Sequence, residues 1–172
     1  MNIRMPVLRQ HMTGRHGFTF LHESPFFRLT HGKTERKLSI IVKKGVFIMA
    51  KKNIDWSNIG FGYIPTDYRY VANFKDGKWD EGQLTTDPNV TLNECACVFQ
   101  YAQTVFEGMK AYTTEDGHIV TFRPDLNAER LANSARRLEM PVFPEDRFVE
   151  AVVQTIKANE AYVPPYGSGA TL

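Results

Sequence analysis

FQYAQTVFEGMKAYTTEDGHIVTFRPDLNAERLANSARR, residues 99–137, is the stretch that decides the fold. Two runs of β-prone residues, 109–113 and 118–122, flank the tripeptide Glu115-Asp116-Gly117. Asp-Gly tolerates the positive φ that a tight hairpin connection needs. The stretch therefore predicts a β-hairpin at its centre.

A helix is predicted to follow this hairpin. Pro124 ends the second strand because it has no backbone donor for a ladder. Asp125 or Asn127 can then cap the helix by accepting a hydrogen bond from an unpaired N–H group. Its apolar residues fall at i, i+4 and i+7, and they define the expected buried face: Leu131, Ala135 and Leu138.

Arg130 lies one step round the helix from that face, and we expect it in the first turn. An arginine there gains nothing from the helix, because the macrodipole is positive at the N-terminus. A bound anion would explain the position, since free N–H groups and a guanidinium both attract negative charge. The alternative is an ordinary solvated arginine, which is what most helix arginines are.

Two motifs in this stretch carry a family resemblance: YAQTVFEGMKAY (101–112) and FRPDLNAERL (122–131). At this separation they resemble the small N-terminal domain of the branched-chain amino-acid aminotransferases, which are class IV pyridoxal-phosphate enzymes. The likeness extends from about residue 54 to residue 172, through IGFGYIPTDY and YVPPYGSGATL. It implies the fold of that small domain.

The resemblance also implies roles for individual residues. Arg130 would bind the phosphate of pyridoxal 5'-phosphate, and Phe61, Tyr101 and Phe106 would line the pocket for the substrate's apolar side chain. These roles suit the chemistry, because arginine offers phosphate a rigid fork and aromatic walls exclude water. Core packing is the alternative for the two phenylalanines. It is a weaker alternative for the tyrosine, whose hydroxyl needs a partner when buried.

The implied reaction is transfer of the amino group of leucine, isoleucine or valine to 2-oxoglutarate, in an enzyme that works as a homodimer. Two other readings stay open. One is a D-amino-acid transaminase or aminodeoxychorismate lyase of the same fold group. The other is a non-catalytic fragment or a module that pairs with a partner chain.

Lys110 is a candidate for the lysine that holds the cofactor as a Schiff base. The resemblance argues against it, because the family's catalytic lysine belongs to a larger C-terminal domain. We therefore expect no catalytic residue in this sequence, which would be an N-terminal fragment inactive alone. Such a fragment should expose an apolar face.

Charge is unevenly distributed along the chain. Residues 1–48 hold nine Lys/Arg against two Asp/Glu, a net charge of +7, whereas the remainder holds twelve against seventeen, a net charge of −5. We expect 1–48 to be a disordered basic extension outside the fold, and 49–172 to be the aminotransferase small domain. A transit peptide and a basic arm for nucleic acid are the alternatives for the extension. The apolar run LSIIVKKGVFIMA is too short and too charged to span a membrane.

Cys95 and Cys97 lie two residues apart, without further ligands at zinc-site spacing. We expect them on a strand, as free thiols of a cytoplasmic protein with no metal site.

A second hairpin is predicted around Lys75-Asp76-Gly77, joining residues 68–74 to 78–84. A second helix is predicted over residues 144–163, buried through five apolar residues: Phe148, Val149, Val152, Val153 and Ile156. Two hairpins and two amphipathic helices predict an α+β fold, a mainly antiparallel sheet with packed helices.

Overall fold

The computed structural model describes residues 39–42, 50–59 and 63–170. In chain order the strands are β1 Ser39–Val42, β2 Arg69–Val71, β3 Phe74–Lys75, β4 Lys78–Trp79, β5 Gln83–Thr85, β6 Ala111–Thr113 and β7 Ile119–Thr121. The α-helices are α1 Cys97–Tyr101, α2 Pro124–Arg137 and α3 Glu145–Ala158, with 3-10 turns at Trp56–Asn58 and Glu160–Tyr162.

The hairpin predicted in the central stretch is present. β6 and β7 pair antiparallel, with Ala111 opposite Thr121, and the turn between them contains Gly117 at φ 80°. Asp-Gly was predicted to form this turn because glycine adopts such a positive φ without strain. β1 pairs antiparallel with the other edge of β7 and completes a sheet in the order β1-β7-β6.

β1 lies inside the basic extension that was predicted to fall outside the fold. For these four residues, 39–42, that prediction was wrong, because their backbone groups pair with the edge of β7. Residues 1–38 and 43–48 lie outside the described residues, so the boundary at residue 49 stays a prediction.

The second predicted hairpin is present but divided into two short ladders. β3 pairs with β4 across Asp76 and Gly77, which have φ values of 52° and 78°. Beyond the interruption, β2 pairs with β5. Asp80 occupies the break, where its carboxylate accepts hydrogen bonds from Asn73 N (3.0 Å) and Gly82 N (3.0 Å). These bonds satisfy backbone groups that leave the ladder.

The start of α2 corrects the predicted N-cap. The N-cap residue is Arg123, in the left-handed region at φ 46°, and neither Asp125 nor Asn127 caps the helix. Pro124 is the first helical residue, because its fixed φ suits the first turn and its missing N–H would have no helical partner there. The predicted cap was wrong because the helix begins earlier than the polar residues suggested.

The core lies where α2 and α3 pack on each other and on the strands. Leu131 and Ala135 are buried as predicted, but Leu138 is exposed, because it follows the last residue of α2 as its C-cap. α3 ends at Ala158, earlier than predicted, and continues as a 3-10 turn. The face predicted for it is confirmed: Phe148, Val152 and Ile156 are buried, and Val149 and Val153 pack against the same cluster.

The segment that contains the cysteines is not a strand. Cys97 is the first residue of the short helix α1, so the predicted strand was wrong. Both thiols are exposed and free.

Antiparallel strands and helices give the described residues an α+β character, which confirms the coarse fold class. Among those residues, no helix is long and apolar enough to cross a membrane, and no group of three or more His, Cys, Asp or Glu side chains could hold a metal ion.

Candidate functional site

The candidate site is built on the exposed side of α2, around Arg130. This residue is the seventh of a helix that begins at Pro124, so it lies in the second turn. The sequence analysis had placed it in the first turn, and that prediction was wrong. Its place therefore owes nothing to the free N–H groups at the helix start, because the macrodipole acts within the first turn. A side-chain contact fixes it instead.

That contact is a bidentate ion pair with Glu107. Arg130 donates from Nε to Oε1 at 2.5 Å and from Nη2 to Oε2 at 2.7 Å. The two partners differ sharply in exposure: the Glu107 side chain is 7% exposed and the Arg130 side chain is 62% exposed. Hydrogen bonding to Glu107, together with its charge, raises the pKa of Arg130. The guanidinium is thus anchored on its inner edge and open on its outer edge.

Asn127 completes the anchor. Its Nδ2 donates to Glu107 Oε2 at 2.7 Å and to Gly108 O at 2.9 Å. Residues three apart on a helix share one face, so Asn127 and Arg130 approach the same carboxylate from α2. Three hydrogen bonds therefore hold Glu107, which the burial of a carboxylate requires.

Sequence reasoning missed this role of Asn127 and did not single out Glu107 at all. One signal was present, because asparagine is a poor residue inside a helix and is often there for its side chain. The partner lies 20 residues away along the chain, so no local pattern could identify it.

The arrangement can accept a phosphate group on Arg130. Within the described part of the chain, Nη1 of this residue has no recorded hydrogen-bond partner. An arginine whose inner edge is pinned by a carboxylate keeps further donors for an outer anion, in the planar geometry that phosphate favours. The residues present therefore fit the phosphate end of pyridoxal 5'-phosphate.

The three aromatic residues predicted for the substrate pocket have different outcomes. Phe61 lies outside the described residues. Tyr101 ends α1 and is 80% exposed, and Phe106, next to Glu107 in the chain, is 53% exposed. Neither belongs to the core, so the core-packing alternative is wrong for Phe106. Among the described residues, neither ring makes a cation–π contact with Arg130. A pocket role for the two rings stays a prediction.

Lys110 lies immediately before β6 and is half-buried. Its carbonyl accepts a hydrogen bond from Thr121 Oγ1 at 2.9 Å, so its backbone belongs to the β6–β7 connection. Among the described residues, its side chain has no recorded hydrogen bond or ion pair with Glu107, Asn127 or Arg130. Its role in chemistry stays untested.

Comparison with known proteins identifies relatives over most of the chain. It is 53% identical over 121 residues to a branched-chain-amino-acid aminotransferase of Haemophilus influenzae, covering 70% of this chain and 35% of that protein. It is 45% identical over 121 residues to the enzyme of the same name from Helicobacter pylori, covering 70% and 36%. A chloroplastic branched-chain-amino-acid aminotransferase of Arabidopsis thaliana is 46% identical over 118 residues, covering 68% and 28%.

These matches confirm the resemblance inferred from the two motifs. The chain spans about a third of the length of the curated relatives it matches. No family model matches it.

Proposed function

We propose that this chain, a homologue of part of the branched-chain-amino-acid aminotransferases, supplies the phosphate-binding side of a pyridoxal-phosphate site for amino transfer. The observation that carries the proposal is the Arg130 guanidinium, pinned by Glu107 on one edge and exposed on the other. It lies in a motif that resembles the family's phosphate-binding segment.

The contribution of the chain is binding and orientation. Arg130 holds the phosphate through charge-assisted hydrogen bonds and so fixes one end of the cofactor. When bound, pyridoxal phosphate supplies the electron sink for exchange of an amino group between an amino acid and a 2-oxo acid. No residue of this chain acts as the catalytic lysine in this scheme. Lys110 would contribute through its backbone carbonyl, which accepts a hydrogen bond from Thr121 Oγ1 at the edge of the hairpin.

The proposed substrates are leucine, isoleucine and valine, with 2-oxoglutarate as acceptor. Phe61, Tyr101 and Phe106 would receive the apolar side chain, since aromatic walls favour substrates that gain from leaving water. One relative, 45% identical over 118 residues, carries the name methionine aminotransferase. Unbranched aliphatic amino acids therefore belong in the substrate panel.

The remaining expectations extend this proposal. The described α+β unit would be the small domain of a class IV aminotransferase, working in a cytoplasmic homodimer. The exposed rings of Phe99, Tyr101 and Phe106 support a second candidate, a non-catalytic module that pairs with another chain, because exposed apolar surface can mark a protein–protein contact.

A chimaera tests the proposal directly. The 121 aligned residues of the Haemophilus influenzae relative are replaced by those of this chain, and amino transfer from leucine to 2-oxoglutarate is measured. We expect turnover, and we expect Arg130→Met to weaken cofactor binding by about tenfold or more, because a hydrogen-bonded charge is lost. The isolated 172-residue chain, mixed with pyridoxal phosphate, should show no turnover and no stoichiometric borohydride-trapped label on Lys110.

Each outcome has a distinct meaning. A folded, dimeric chimaera without turnover on any donor would refute the proposal. Turnover with D-amino acids but not with leucine would assign the chain to the D-amino-acid subgroup. Leucine turnover by the isolated chain with a label on Lys110 would show that the lysine assignment is wrong.

A further inference from the structure

We infer that Glu107 and Asn127 are positioning residues that orient the Arg130 guanidinium toward the cofactor phosphate. This inference rests on the proposed function, and it assigns a task to two residues that do not themselves touch the phosphate. Two features of the structure support it, burial and bond geometry, and the charge of Glu107 provides a test.

Burial shows that Glu107 serves as an anchor. A carboxylate that is 7% exposed has lost most of its water, and only full hydrogen bonding compensates for that loss. Oε1 accepts from Arg130, and Oε2 accepts from both Arg130 and Asn127. The anchor is therefore satisfied from two positions of α2, and its own orientation is fixed.

Bond geometry then determines which donors of Arg130 remain available. Because Nε and Nη2 are bonded to Glu107, the plane of the guanidinium is set by the carboxylate. Nη1 and the outer hydrogen of Nη2 are the donors left for an anion. An exposed arginine has several freely rotating bonds, and restraining them before the ligand arrives lowers the entropic cost of binding.

The charge of Glu107 provides a test, because two possible roles of this residue predict opposite effects on phosphate binding. Glu107 is negative, so if it acted only through its charge it would weaken phosphate binding, and its neutralisation would tighten binding. If it acts by orienting Arg130, its neutralisation weakens binding. Glu107→Gln keeps the length of the side chain and removes the charge, so the two effects predict opposite results.

The experiment compares pyridoxine 5'-phosphate with pyridoxine on the full 172-residue chain, by NMR titration of the backbone and guanidinium N–H signals. These probes lack the aldehyde and so cannot react with surface lysines. The ratio of the two dissociation constants reports the contribution of the phosphate alone. Variants are Glu107→Gln, Asn127→Ala, Arg130→Met and the Glu107→Gln/Arg130→Met pair.

The chain offers a matched control in a second bidentate pair near the start of α2. Arg123 donates from Nε to Asp125 Oδ1 at 2.8 Å and from Nη2 to Oδ2 at 2.6 Å. Asp125→Asn breaks a pair of the same kind outside the proposed site. It should leave the phosphate preference unchanged.

We expect the wild-type chain to prefer the phosphorylated probe and Arg130→Met to lose that preference. Glu107→Gln should reduce it about three- to tenfold, and Asn127→Ala should reduce it less, because a freed arginine pays its rotamer entropy on binding. In the Arg130→Met background, Glu107→Gln should have no further effect. A merely structural role would change binding of both probes equally and leave the ratio unmoved.

An unchanged or increased preference in Glu107→Gln, with the loss in Arg130→Met intact, would overturn the inference and leave the proposed function standing. No preference in the wild-type chain would overturn both. If Glu107→Gln fails to fold, the wild-type signal of Arg130 Nε–H still decides. The Nε–H proton must exchange slowly with water, and its NMR signal must shift only when the phosphorylated probe is added. Exchange of this proton at the rate of a free arginine would contradict the inference.

Discussion

Asn159→Asp should destabilise the fold in a pH-dependent way. Asn159 is buried just beyond the end of α3, where its side chain links the helix to the segment before β2. Its Oδ1 accepts from Tyr68 N at 3.0 Å, while its Nδ2 donates to Tyr68 O at 2.9 Å and to Thr155 O at 2.9 Å. The side-chain amide therefore pairs with Tyr68 as a neighbouring strand would.

The substitution keeps the shape of the side chain and removes both donors. Two partly buried hydrogen bonds are lost, and a carboxylate oxygen faces the carbonyls of Tyr68 and Thr155. At about 1 kcal/mol for each lost bond, and about 1 kcal/mol more for carbonyls left unpaired, the free energy of unfolding should fall by about 3 kcal/mol at neutral pH. Burial and the facing carbonyls raise the pKa of the introduced carboxyl in the folded state.

The sign of the pH effect follows from that raised pKa. Below the unfolded-state pKa of about 4, the carboxyl is protonated in both states and carries no charge penalty. As the pH rises from there through the higher folded-state pKa, the penalty grows, because the folded state must either keep the proton or bury the charge. The loss of stability should therefore be larger at neutral pH than near pH 4.

Urea unfolding at both pH values measures the effect, with Asn133→Asp as control. Asn133 is exposed on α2 and accepts a hydrogen bond from Arg136 Nη1 at 2.7 Å, which a carboxylate can also accept. The control should stay within about 0.5 kcal/mol of the wild type. A loss below about 1 kcal/mol for Asn159→Asp, or an equal loss at both pH values, would refute the assigned bonding.

Two further predictions concern the core and the contact between Asp67 and the 3-10 turn that follows α3. Phe148→Ala should lower the free energy of unfolding by about 3–5 kcal/mol, because a fully buried ring is removed. As a control, Phe122→Ala removes an exposed ring and should lower it by about 0.5 kcal/mol or less. Chemical denaturation of both variants measures the difference. The hydroxyl of Tyr162 donates to Asp67 at 2.7 Å and, with Lys52, lowers the pKa of that carboxyl. Because the pKa of Asp67 is lowered in the folded state, its carboxylate stabilises the fold at pH values above the unfolded-state pKa. That stabilisation is lost as the pH falls through the folded-state pKa. Tyr162→Phe should therefore make the thermal midpoint fall less steeply between about pH 5 and pH 2. An acid limb as steep as that of the wild type would contradict this.

The turns were predictable because their chemistry is local. Asp76 and Gly77 both adopt positive φ, and so does Gly117, as the Asp-Gly pairs indicated. The buried faces of α2 and α3 were predictable for a similar reason, since helical periodicity places apolar residues on one face. Of the residues predicted for these faces, only Leu138 is exposed, because the helix ends just before it.

The site was predictable only in part. The motif singled out Arg130, whose role stays a prediction. The argument from the first turn was wrong, because the expected polar cap misplaced the start of the helix. Glu107 and Asn127 were missed because their contacts join the segment before β6 to α2 across 20 or more residues. Such pairings depend on how the hairpin packs against the helix, which no short pattern specifies.

The two arginine–carboxylate pairs of α2 show why one of them suits an anion and the other does not. In the Arg123–Asp125 pair the arginine side chain is 16% exposed and the carboxylate 54% exposed, so the negative group faces outward. In the Arg130–Glu107 pair the order is reversed, and the positive group faces outward. A surface ion pair retained for stability alone contributes little and has no reason to bury only its carboxylate. Burying the carboxylate of Glu107 costs desolvation, and in the proposed site that cost is offset by a guanidinium held in one orientation for the cofactor phosphate.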